Sequence, residues 1–158
     1  MSKIAFALIL LVTTHALGQR QAYLFFQDSP PARFAAEKIR GALSKGGFGV
    51  SINTKNSITP ELKVILSTFD VSTWINSFSE ILPRHVDLDP EGFSIQRSQT
   101  QGKTSVFVTG KDVAGMMYGG LELAEIIRSQ GLETISEATQ NPYMKKRGVK
   151  MNIPLDVR

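Results

Sequence analysis

The sequence predicts an α+β domain: one mixed or antiparallel sheet of about five strands with two main helices packed on one face. Three observations carry that prediction. Two long segments, one from Pro30 up to Gly46 and the other Val113–Arg128, repeat apolar residues at helical spacing. Five short segments are apolar or alternate with a period of two, and Gly, Pro, Asn and Asp cluster between elements. The order reads β-α-β-β-(short α)-β-β-α, and one sheet carrying both helices on one face buries the apolar side of each element.

Ala22–Gln27 is short, apolar and aromatic, as a buried strand should be. Ser29 can cap the free amides of a helix, and Pro30 fits the first helical position. Ala32, Ala35, Ala36, Ile39 and Leu43 then share one face, with Arg33, Glu37, Lys38 and Arg40 turned outward. Gly46-Gly47 stops the helix, because glycine enters the left-handed region without strain. Gly49–Asn53 alternates like a half-buried strand, and Leu62–Ser67 is a stronger strand after the turn residues Thr59-Pro60-Glu61. Between 69 and 89, Trp74, Phe78, Ile81 and Leu82 recur at helical spacing and Pro83 ends the run, which predicts a short amphipathic helix.

Gly92–Arg97 and Thr104–Thr109 both alternate, and the polar loop Ser98–Lys103 joins them as a β-hairpin. Asp112 caps the second helix, whose expected core stripe is Val113, Met116, Met117, Leu121, Ala124 and Ile127. Gly115, Gly119 and Gly120 each cost a helix roughly 1 kcal/mol against alanine. Three of them together predict a backbone lying close to something flat, either the sheet or a following domain. Gln130-Gly131 closes the helix.

The ends differ from the body. Residues 1–18 read as a secretory signal peptide: Lys3 is basic, Ile4–Val12 is unbroken apolar sequence, and Ala16-Leu17-Gly18 suits cleavage after Gly18. An apolar run that short reaches about 14 Å as a helix, roughly half a bilayer core. A secreted or periplasmic location follows, without a lasting membrane span. The chain has no cysteine, which excludes disulfides and thiolate metal sites. The net charge of +4 is not spread over the body. Lys145, Lys146, Arg147, Lys150 and Arg158, set against Asp156, account for +4 and Lys3 for +1, leaving Gln19–Met144 at −1. A nucleic-acid partner needs basic residues gathered on a folded face, so none is expected.

Residues able to carry chemistry are few. Once the leader and its His15 are removed, His85 is the sole histidine, in a polar loop between Arg84 and Asp87. A metal site needs several convergent ligands, and a serine hydrolase on His85 would want a Gly-x-Ser-x-Gly elbow that is absent. Thr109-Gly110-Lys111-Asp112 lacks the spacing of a phosphate loop and reads as a tight turn with Asp112 as helix cap. Carboxylates remain, among them Asp87, Asp89, Glu91, Glu122, Glu125, Glu133 and Glu137. Two held about 5–10 Å apart across a sugar could run glycoside hydrolysis, but Glu122 and Glu125 fall on the outer helix face. The expectation is no catalytic residue, no cofactor and no metal. Trp74, Phe78 and Tyr118 are the aromatics on which a free-standing carbohydrate-binding or protein-interaction module would rely.

The stretch 91–131 adds a resemblance. Glu91-Gly-Phe-Ser-Ile95, Ser105-Val-Phe-Val-Thr-Gly110, Asp112, Gly115 and Met117-Tyr-Gly-Gly-Leu-Glu-Leu123 resemble the N-terminal α/β domain that precedes the catalytic barrel in family 20 β-N-acetylhexosaminidases and family 67 α-glucuronidases. Asn141-Pro-Tyr-Met-Lys-Lys-Arg-Gly148 and Asp156-Val-Arg158 look like the lead-in and first strand of that barrel, although Pro154 lengthens the spacing after Gly148. With the leader at 1–18, the resemblance implies an accessory domain at 19–140 and a linker with the truncated start of a (β/α)8 barrel at 141–158. It implies a secreted glycoside hydrolase as the parent protein, with this chain inactive by itself. The partner would be the catalytic barrel of the same polypeptide and, through it, an oligo- or polysaccharide. Arg158 would be the position that holds sugar hydroxyls.

Overall fold

The computed structural model describes residues 20–54, 60–68 and 83–144. The leader at 1–18, the expected helix residues Trp74, Phe78, Ile81 and Leu82, and the tail with Arg158 lie outside them. The described elements are β1 (Arg20–Phe26), α1 (Pro30–Lys45), β2 (Phe48–Ile52), β3 (Leu62–Thr68), β4 (Phe93–Thr100), β5 (Lys103–Gly110), α2 (Val113–Ser129), a 3-10 turn (Leu132–Thr134) and β6 (Ala138–Gln140). The strands form one six-stranded sheet in the order β2-β1-β3-β5-β4-β6. β2, β1, β3 and β5 run parallel, while β4 and β6 add antiparallel at one edge. This is the expected α+β architecture with one mixed sheet.

Helix α1 forms where its caps and apolar face agree. The Ser29 side chain accepts from the Ala32 amide at 3.3 Å, and proline occupies the first turn. Ala32, Ala35, Ala36, Ile39 and Leu43 are buried as expected, joined by Ala42. At its end Gly46 keeps a negative φ and Gly47 takes the left-handed one, +84°. The hairpin is tighter than Ser98–Lys103 suggested. β4 runs to Thr100 and β5 resumes at Lys103, so the loop is Gln101-Gly102 alone, with φ of 51° and 76°. Positive φ at both positions matches the right-handed twist of the strands, which is why two-residue loops take this form.

The core lies between the sheet and the helices. Leu24 and Phe26 of β1, Val64 and Leu66 of β3, and Val106 and Val108 of β5 face the buried sides of α1 and α2. Their alternate neighbours point to the opposite face, where Tyr23, Phe25, Ile65 and Phe107 form a second buried cluster. In register, Phe25, Ile65 and Phe107 make one row across three strands, and Gln96 of β4 completes it.

Candidate functional site

The most constrained region is the junction of β4, β5 and α2, and glycine makes it. Asp112 caps α2 by accepting from the Gly115 amide at 2.8 Å, and its other carboxylate oxygen accepts from the Glu91 amide at 2.9 Å. One side chain therefore ties the helix start to the beginning of β4. A Cβ on Gly115 would collide with the backbone carbonyl of Gly92, and one on Gly110 with the Met116 amide nitrogen. On Gly119 it would meet Val108 Cγ1 at 2.8 Å and Phe93 Cδ2 at 2.9 Å. On Gly120 it would meet the Ala35 Cβ of α1 at 2.8 Å. The flat neighbour expected from the sequence is thus the sheet on one side and α1 on the other.

That seating corrects the expected stripe of α2. Val113 is 40% exposed and Met117 and Leu121 are half-buried, whereas Leu123 and the three glycines are buried. The helix is rotated because its closest approach is made by residues without side chains, which hydrophobic spacing does not weigh. Met116, Ala124 and Ile127 are buried as expected. Tyr118 is 39% exposed; Glu122 and Glu125 are exposed too, the latter paired with Arg128 at 2.9 Å.

Other polar candidates are spread over the surface. His85, Asp87, Asp89, Glu133 and Glu137 are exposed and Glu91 is half-buried. Glu137 pairs with Arg84, and Glu133 with Arg97 at 2.9 Å. Among the described residues no group of three or more His, Asp or Glu gathers as a metal site would require. A shallow groove of about 120 Å³ opens at the amino ends of β1 and β3. Arg20, Phe48, Glu61, Arg97, Gln99 and Glu133 are among its lining residues. Its charges are already matched. Arg20 bonds Glu61 at 3.0 Å and lies 4.2 Å over the Phe48 ring, and Arg97 bonds Glu133 and two backbone carbonyls of the 3-10 turn. Among the described lining residues, each charged side chain is thus paired.

Two structural residues escaped the sequence reading. Asn141 Oδ1 accepts from the Asp89 amide at 2.9 Å and sits against Gly92, pinning β6 to the start of β4. Gln96 exchanges two bonds with the backbone of Arg84, 2.7 Å from its amide and 2.8 Å to its carbonyl. The sequence places Asn141 at the start of the barrel lead-in, and nothing local hints at either set of bonds.

A family model, glycosyl hydrolase family 67 N-terminus, matches residues 12–123. The chain belongs to that family. The match takes in the β4–β5 hairpin and the glycine-bearing turns of α2 through Leu123. No curated protein sequence matches significantly. Among 29 matching chains of solved structures is a GH138 enzyme described as targeting pectin rhamnogalacturonan II. It shares 23% identity at a TM-score of 0.54 over 79% of this chain, a likeness of fold. The family 67 N-terminal chain spans 16% of that enzyme's length.

Proposed function

We propose that this chain is the non-catalytic N-terminal domain of a secreted glycoside hydrolase, a shoulder on which a downstream catalytic barrel rests. The observation that carries the reading is the glycine-seated unit 91–131, whose part up to Leu123 lies inside the family 67 N-terminal match. The functional groups point the same way. Glu137, Glu133 and Glu125 are exposed and paired with arginines, and the volume of the groove is small. The acid and the base or nucleophile would then come from the barrel, and Arg158 would hold sugar hydroxyls at its first strand. The apolar leader supports export with cleavage after Gly18. No described helix is long and apolar enough to cross a membrane.

The test has two arms. Reading the coding sequence past codon 158 should reveal a (β/α)8 barrel with paired acidic residues, and the purified 158-residue chain should hydrolyse no glycoside. Hydrolysis by the chain alone, or a stop codon with no barrel encoded nearby, overturns the reading.

A further inference from the structure

On the sheet face opposite the helices, Ser67 of β3 and Thr109 of β5 are register partners at the carboxyl ends of parallel strands. They are 2% and 1% exposed, beside the Ile65–Phe107 row, and neither Ser67 Oγ nor Thr109 Oγ1 has a hydrogen-bond partner among the described residues. Ser94 of β4, register partner of Thr109 on its other side and 1% exposed, is engaged by a long 3.5 Å bond from Gln96 Nε2. Buried hydroxyls are almost always bonded, because an unmade bond leaves their lost hydration uncompensated.

We propose that Ser67 and Thr109 jointly hold one buried water molecule. Paired strands lie about 4.8 Å apart, and two O–H···O bonds of about 2.8 Å meeting at a roughly tetrahedral angle span about 4.6 Å. On that spacing one water can bond both hydroxyls, and two polar partners suffice to hold it. No ion fits this reading, since two neutral hydroxyls supply no charge. The bridge turns an otherwise costly polar pair into a register lock between the central parallel strands: a slip of β5 by one residue would set Ser67 beside Val108 or Gly110, neither of which carries a polar side chain.

A high-resolution crystal structure of the full chain tests this directly. The expected result is a density peak about 2.8 Å from both oxygens. Direct bonding of the hydroxyls to each other, or to other protein groups with no peak between them, overturns the proposal. In solution, the Thr109 amide should show a nuclear Overhauser effect to a long-lived water. That signal should vanish in a Ser67→Ala/Thr109→Val variant whose other amide shifts are unchanged. Its persistence in the variant overturns the assignment, and if the variant does not fold, the crystal density of the native chain decides.

Discussion

Helices α1 and α2 lie side by side on the same sheet, yet they bury different things. α1 packs with side chains: alanines let it sit close, and Ile39 and Leu43 fill the space beneath. α2 packs with its backbone, through Gly115 on the carbonyl of Gly92, Gly119 on Val108 and Phe93, and Gly120 on Ala35. A glycine costs helix stability wherever it stands; in α2 that loss brings close approach, whereas the interior Gly41 of α1 faces open space and brings none. The two helices should therefore answer the same substitution with opposite signs.

The largest effect should come from Gly115→Ala. The obstructing atom is a backbone carbonyl, which cannot swing aside, so we expect a loss of about 3 kcal/mol or more, read by urea denaturation of the full chain. A loss under about 1 kcal/mol would mean that the β4–α2 junction can open without cost. Next comes the contrast of caps. Asp112→Ala removes two bonds and should cost about 1–2 kcal/mol, whereas Ser29→Ala removes one long bond and should cost about 0.5–1 kcal/mol. Equal losses would show that the bond to Glu91 contributes nothing. The smallest effect is Gly41→Ala in α1, where an added Cβ meets nothing within 4 Å. There the alanine should stabilise by roughly 0.5–1 kcal/mol, seen as a higher thermal midpoint.

These contrasts also show how far the sequence could be read. Caps and alternation are local, so Ser29, Asp112 and the β4–β5 hairpin were legible, and the cost of three glycines announced a close approach. The partner of that approach was not legible, because Gly92 and Ala35 are brought to α2 by the tertiary fold. β6 escaped because three residues, two of them polar, make no periodic signal; it is held by pairing to β4 and by Asn141. The hairpin loop was read as too long because Ser98 and Gln99 are polar, and an edge-side strand end tolerates polarity. Of the functional expectations, the resemblance carried by the residues from Glu91 to Leu123 rests on one junction of the fold, and the family model supports its family 67 half. Trp74, Phe78 and Arg158 lie outside the described residues, and of the three only Arg158 has a role in the proposal.

Helix α2 is seated by the side chains it lacks, and moving one methyl group across the α1–α2 contact tests that most directly. Gly120→Ala alone should lose about 2 kcal/mol in equilibrium unfolding, while Ala35→Gly/Gly120→Ala, which transfers the methyl from one helix to the other, should return to within about 1 kcal/mol of the native chain. A double variant as unstable as the sum of its two single changes, or a Gly120→Ala chain as stable as the native one, would contradict it.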